Sequence, residues 1–167
     1  YFEKLNIHFE REDIIITNGG SEARQFAIVA TCDHDDELLV PEPFYTNYNG
    51  FSMPFGTHIK PITTSPEDGF KLPSLEEMEK LVGERTRGIL LSNPGNPTGA
   101  VYSQEEIDRV CELAKKHDLY IIADEVYREF TYGTTAISFA TCEDAKDNVI
   151  IIDSVSKRFS ACGARIG

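Results

Sequence analysis

Lys157 stands in the string Ser154-Val155-Ser156-Lys157-Arg158, just after the apolar run at 149–152 and a short way before Arg165. Two hydroxyls, an amine and a guanidinium at the end of one apolar run suit a phosphate, an active amine, or both. A solvated surface lysine is the plainer alternative. Asp124 and Glu125 follow the run at 120–123 in the same way, with Tyr127 close behind. An acid directly behind a buried strand needs a partner or a proton, although a helix N-cap would also explain it. Ser92-Asn93-Pro94-Gly95-Asn96-Pro97-Thr98-Gly99 packs two Asn-Pro pairs and two glycines into one turn, which reads as a rigid device for aiming the Asn96 amide. Pro41-Glu42-Pro43-Phe44-Tyr45-Thr46-Asn47-Tyr48 offers aromatic rings that could stack on a flat ligand or simply fill the core. In Thr17-Asn18-Gly19-Gly20-Ser21-Glu22, a tight turn leads into a helix start, which is an anion cradle or an ordinary capped helix. This string is neither G-x-G-x-x-G nor a Walker loop.

Each cluster needs an element to hold it. Short β-branched or apolar runs recur at 14–16, 38–40, 59–63, 88–91, 120–123 and 149–153. Continuous apolar runs of this length fit strands covered on both faces, as in parallel sheets. Helical patterns lie between them. Ser103-Gln104-Glu105-Glu106 is a capping box opening a helix to His117, with Ile107, Val110, Cys111 and Ala114 on one face. Ser74-Leu75-Glu76-Glu77 opens another, with Leu75, Met78, Leu81 and Val82 inward. A third spans 21–31, with Ala23, Phe26, Ala27 and Ala30 inward. Residues 56–73 read as a strand followed by a surface loop. The alternation predicts an α/β fold, a doubly wound and mainly parallel sheet with helices on both faces. In such sheets ligands bind beyond the carboxyl ends of the strands, where every polar cluster above falls.

The 167 residues carry 16 Lys and Arg against 28 Asp and Glu, a formal charge of −12. That balance argues against nucleic acid as a partner, because phosphate backbones need an excess of cations. No apolar run approaches the ~20 residues of a membrane helix, so no membrane partner is expected. No signal peptide stands at Tyr1, and the missing Met points to a longer parent. The four cysteines (32, 111, 142 and 162) form no C-x-x-C and do not cluster with the histidines, so they read as free thiols with no metal site, in a cytoplasmic setting.

Asn93-Pro94-Gly95-Asn96-Pro97-Thr98-Gly99, Ala123-Asp124-Glu125-Val126-Tyr127 and Ser154-Val155-Ser156-Lys157-Arg158-Phe159 with Gly163-Ala164-Arg165-Ile166-Gly167 together resemble the fold-type-I pyridoxal-phosphate aminotransferases. Within them the chain looks like the class I/II, aspartate-aminotransferase-like branch. The resemblance implies pyridoxal 5′-phosphate as cofactor and amino-group exchange between an amino acid, aspartate first, and a 2-oxo acid. It assigns Lys157 to the cofactor's aldehyde and to proton transfer, and Asp124 to the ring nitrogen. Asn96 and Tyr127 go to the ring's 3′-oxygen, and Tyr45 to its face. Gly20, Ser21, Glu22 (through its backbone), Ser154, Ser156 and Arg165 go to the phosphate. Burial and nearby cations are expected to keep the Lys157 amine partly neutral.

The resemblance further implies that residues 1–167 are a partial large, cofactor-binding domain. The small C-terminal domain and an N-terminal segment are absent from it, and the parent is a homodimer. Alone, the 167 residues are expected to be inactive. In the family a strand beginning near Arg165 runs antiparallel between the segment at 14–17 and the one at 149–153; here it has no residues beyond Gly167, so both are expected to lose that neighbour and 14–17 to be displaced, poorly ordered or paired with another chain. Ala164 stands where many relatives have Trp. A pyridoxal-phosphate C–S lyase, a non-catalytic aminotransferase-like sensor domain of a transcription regulator and a nucleotide-binding α/β module are the competing readings.

Overall fold

The computed structural model describes residues 2–5 and 7–167. In chain order, helix α1 (Gly19–Thr31) leads to strand β1 (Glu37–Glu42), α2 (Asn47–Ser52) to β2 (His58–Thr63), and α3 (Leu75–Glu79) to β3 (Thr86–Ser92). Then come α4 (Gln104–His117), β4 (Tyr120–Asp124), β5 (Val149–Ile152) and the single turn α5 (Val155–Arg158). The sheet order is β2-β1-β3-β4-β5, and every neighbouring pair is parallel. This is the doubly wound α/β architecture that the alternation of runs implied.

Side chains alternate across the sheet and build a core on each face. Leu39, Ile89, Leu91 and Ile121 pack with Ile107, Val110 and Ala114 of α4 on one side. Leu38, Val40, Leu90, Ile122 and Ile152 pack with Ala27, Ile28 and Tyr48 on the other. Each leucine, isoleucine or valine among them contributes about 1.5–3 kcal/mol when fully buried, and that burial holds the strand ends level. Both capping boxes form as the sequence implies, at Ser74/Glu77 and Ser103/Glu106. The α4 face is the expected one. Helix α3 stops at Glu79, so Leu81 and Val82 reach the core from beyond its end.

Three expectations need correction. The first is the inner face of α1, which is Arg24, Ala27, Ile28 and Thr31, while Phe26 is 53% exposed and Ala30 is exposed. The apolar count pointed to the wrong side because Arg24 turns inward to a buried carboxylate and Thr31 bonds back to the Ala27 carbonyl at 2.8 Å. The second concerns the cysteines. Cys111 and Cys142 are joined as a disulfide, with Cα atoms 6.1 Å apart, because α4 and the turn after Phe139 meet side by side in the core. Cys32 and Cys162 are free, as expected.

The third is the segment 14–17. Ile14, Ile15 and Ile16 form no strand and are 54%, 74% and 80% exposed. Yet the segment is tethered rather than displaced. Thr17 and Gly167 exchange backbone bonds of 2.8 and 3.1 Å, and Asn18 forms an antiparallel bridge to Ile166. Close approach makes this possible, since a Cβ on Gly167 would lie 2.4 Å from the Gly20 nitrogen. The antiparallel neighbour expected to be lost is therefore present in part, and it reaches only as far as Thr17.

Candidate active site

Ser92 on β3, Asp124 on β4 and Ile152 on β5 are register partners, so three central strands end at one level. The loops leaving that level enclose a cavity of about 270 Å³. The N-terminus of α1 brings Gly20 and Ser21 to it, the loop after β1 brings Tyr45, and the turn after β3 brings Asn96. Asp124 and Tyr127 come from the end of β4, and Ser154, Ser156, Lys157 and Arg165 from the segment after β5. All the residues that the resemblance assigned to the cofactor line this one cavity except Glu22. Its carboxylate turns back to accept the Asn18 N–H at 2.6 Å, which fixes the entry into α1.

The cationic end is built by close backbone approach. Arg165 donates through Nη2 to the Asn18 carbonyl at 3.2 Å and through Nη1 to the Cys162 carbonyl at 3.1 Å. Gly19 has φ +77°, and a Cβ there would fall 2.2 Å from Arg165 Nη2. The guanidinium thus lies across the first turn of α1, whose leading N–H groups have no partner within the helix. Ser154 donates to the Ile166 carbonyl at 3.0 Å and accepts the Ser156 N–H at 3.1 Å, so it ties the 165–167 segment to α5. A guanidinium, helix N–H groups and hydroxyls form the donor set a phosphate dianion requires.

Lys157 is exposed, not buried as expected, because α5 is a single turn beyond the last strand and projects the side chain outward. Its ammonium lies 5.7 Å from the centroid of the Tyr127 ring. The Asn96 turn is locked as its composition implied. Gly95 N–H donates to the Ala100 carbonyl at 2.7 Å, and Asn93 accepts the Tyr102 N–H at 3.1 Å while donating to the Ile137 carbonyl at 2.9 Å. Tyr45 packs edge-on against Tyr48 at 5.7 Å, and its hydroxyl accepts from Asn47 at 2.8 Å.

Asp124 is the most tightly held group. Its Oδ2 accepts Arg24 Nε at 2.7 Å, Arg24 Nη2 at 2.5 Å and the Tyr48 hydroxyl at 2.8 Å. Its Oδ1 takes one long contact, from the Val126 N–H at 3.4 Å. The Arg24 and Asp124 side chains are only 8% and 3% exposed. Burial pulls the Arg24 pKa down, but the Asp124 charge, Tyr48 and the hydrogen bond outweigh it, so the net direction is upward. Burial, reinforced by the neighbouring Asp124 charge, pushes the Tyr48 hydroxyl well above its usual range. Tyr48 is therefore a fixed neutral donor. Glu125, next in sequence, faces away. It pairs with Arg128 and accepts from Ser138 and the Phe139 N–H, which anchors the chain between β4 and β5.

Arg24 was not among the residues singled out by sequence, and Tyr48 entered only as one ring of the aromatic cluster after the second apolar run, with no role of its own. The available signal was Arg24 itself, a charge at i with Ala27, Ile28 and Thr31 at i+3, i+4 and i+7. The donor set fits pyridoxal 5′-phosphate: an anion cradle at one side, a buried carboxylate with a free oxygen at the strand ends, and an accessible lysine between neighbouring elements.

Comparison with known proteins agrees with this geometry. A putative aminotransferase of Bacillus subtilis, YugH, is 37% identical over 155 residues, which is 93% of this chain and 40% of the relative. The aspartate aminotransferase of Thermotoga maritima is 34% identical over 165 residues, 99% of this chain and 44% of the relative. The structure of the Thermus thermophilus aspartate aminotransferase with maleate superposes with a TM-score of 0.93 at 30% identity, covering 99% of this chain and 43% of that one. The chain thus spans about two fifths of the length of these relatives. Residues 1–167 match, over their whole length, the family described as aminotransferase class I and II, and the chain belongs to that pyridoxal-phosphate-dependent family.

Proposed function

We propose that this chain is the cofactor-binding part of an enzyme that exchanges an amino group between an amino acid, aspartate first, and a 2-oxo acid. The observation that carries the reading is one cavity shared by the buried Asp124 carboxylate and by Lys157, at the level ends of adjacent parallel strands. Pyridoxal phosphate, when bound, supplies an electron sink for the pair released at the substrate Cα.

The chain's residues do the rest. Asp124 would supply the anion for the cofactor's ring nitrogen. Asn96 and Tyr127 would serve its 3′-oxygen, and Tyr45 its ring. Ser21, Ser156 and Arg165 would hold the phosphate, with Ser154 and the backbone of Gly20 and Glu22. Lys157 would hold the aldehyde carbon and, as a free amine, would take the proton from the substrate Cα.

Aspartate comes first because relatives from Thermotoga maritima and Bacillus subtilis are named aspartate aminotransferases. Among the described residues, the arginines that line the cavity are Arg24 and Arg165, and each already holds other partners. Substrate recognition is therefore assigned to a small C-terminal domain and to the second subunit of a homodimer, and the 167 residues alone should not turn over. Among the described residues no helix is long and apolar enough to cross a membrane. We place the enzyme in the cytoplasm, without nucleic-acid or membrane partners.

Borohydride reduction of the cofactor-loaded full-length protein, followed by peptide mapping, should leave the pyridoxyl group on Lys157. The same protein should form oxaloacetate and glutamate from aspartate and 2-oxoglutarate. An adduct on another lysine would overturn the site assignment. An adduct on Lys157 with no amino transfer from any amino acid would overturn the reaction.

A further inference from the structure

We propose that Arg24 is a positioning residue that shares the Asp124 carboxylate with the cofactor's ring nitrogen, fixing which oxygen remains for that nitrogen and weakening the hold on its proton. The proposal rests on the pyridoxal-phosphate reading and goes beyond it, because Arg24 touches none of the reacting atoms.

The geometry is one-sided. Three donors, two of them from one guanidinium, converge on Oδ2, and Oδ1 keeps nearly all of its acceptor capacity. A carboxylate oxygen that already accepts three hydrogen bonds has little left to offer a fourth donor. The rotation of the group is fixed from two helices at once, by Arg24 from α1 and Tyr48 from α2. Arg24 is itself held. Its guanidinium carbon lies 6.0 Å from the Tyr45 ring centroid and 5.9 Å from that of Phe51. Gly20 leaves room for it, since a Cβ there would sit 3.2 Å from Nη1.

Charge supplies the second half of the argument. A lone buried carboxylate would have the ring nitrogen's proton as its sole counter-charge. Here the carboxylate already has a full cation, so the ring nitrogen meets one half of a near-neutral pair and its protonated form gains less. The other titratable side chains lining this cavity are Tyr45, Tyr127, Lys157, Cys162 and Arg165, of which Lys157 is assigned to the cofactor's aldehyde and Arg165 to its phosphate. Tyr48 is neutral, and Glu125 is turned away onto Arg128 and Ser138.

The test uses the full-length protein loaded with pyridoxal phosphate labelled with nitrogen-15 in the ring, its resonance followed against pH. In Arg24→Met the ring nitrogen should keep its proton to a pH about one to three units higher than in the wild type, the size of shift one close charge produces. Arg24→Lys, which keeps the charge, should move it much less. Arg24→Gln, which keeps a donor but not the charge, should follow the Met variant. If neither neutral variant folds, the wild type alone decides. A shared carboxylate releases the proton within the pH range where the protein stays folded, and retention throughout that range would overturn the proposal. Neutral variants that titrate with the wild type while binding cofactor on Lys157 would overturn it as well, leaving Arg24 a purely structural role. Absence of any bound cofactor signal would instead defeat the functional reading beneath it.

Discussion

Replacing Arg24 by Met in the cofactor-free protein leaves the Asp124 carboxylate buried with only the Tyr48 hydroxyl and a long backbone contact. Replacing Asp124 by Asn leaves the guanidinium buried without a counter-ion. Both side chains are below one tenth exposed, so water compensates only part of either loss. Breaking a buried pair from one side costs about 3–5 kcal/mol, against 0–1 kcal/mol for an exposed pair, and burial decides which figure applies here. Removing both partners leaves no stranded charge. The double variant should therefore lose much less than the sum of the two single losses, with a coupling of about 2–3 kcal/mol. Urea unfolding at neutral pH measures this, provided the slope with denaturant stays constant across the four proteins. Since total stabilities are about 5–15 kcal/mol, one single variant could be largely unfolded at zero denaturant. The four proteins are then compared in a stabilising osmolyte, in which all of them are folded and the coupling can still be read. Single losses under about 1 kcal/mol, or a double loss equal to their sum, would show that the pair is solvated in solution and would remove the basis for its role at the cofactor.

The same structure sets two more expected outcomes. Glu106→Ala should cost about 2–4 kcal/mol in urea unfolding, because the buried carboxylate accepts the Leu72 N–H at 2.9 Å and the Ser103 N–H at 2.8 Å, and alanine strands both donors. Gly19→Ala combines a left-handed φ of +77° with a Cβ 2.2 Å from Arg165 Nη2, so the full-length protein should bind pyridoxal phosphate about tenfold more weakly or worse, measured by cofactor titration.

Much of the site was legible because a parallel sheet places chemistry at predictable points. Its ligand-facing loops leave the carboxyl ends of the strands, and Tyr45, Asn96, Asp124, Tyr127 and Lys157 all stand at or just past such an end. Partners stayed hidden. Asp124 plainly needed one, but its partner Arg24 lies 100 residues away on a helix. Helical periodicity weighs apolar residues, so an inward arginine counted against the true face of α1 and Phe26 counted for the wrong one. The isoleucines at 14–16 show the same limit. Apolarity says that a segment favours burial, but a strand forms only where a neighbouring backbone accepts its hydrogen bonds, and here that neighbour begins at Thr17. Cys111 and Cys142 were read as thiols because spacing and compartment carry no information about which helix packs beside which turn.

The Arg24–Asp124 pair also links stability to the cofactor through one shared charge. A carboxylate placed at the buried end of β4 for a cationic ring nitrogen is a liability whenever the cofactor is away, because it then sits desolvated with nothing to oppose it. Arg24 removes that liability permanently and cannot withdraw when the cofactor arrives, since it is walled in by Tyr45, Phe51 and Gly20. The two effects must therefore trade against each other. Whatever Arg24 gives the empty protein by neutralising Asp124, it withholds from the protonated ring nitrogen later. Arg24→Met should reverse both at once, giving a less stable empty protein that gains more stability from pyridoxal phosphate than the wild type does at the same saturating concentration, because ligand stabilisation grows as the dissociation constant falls. A wild type and variant gaining equally would mean that the two sites of charge do not share the carboxylate.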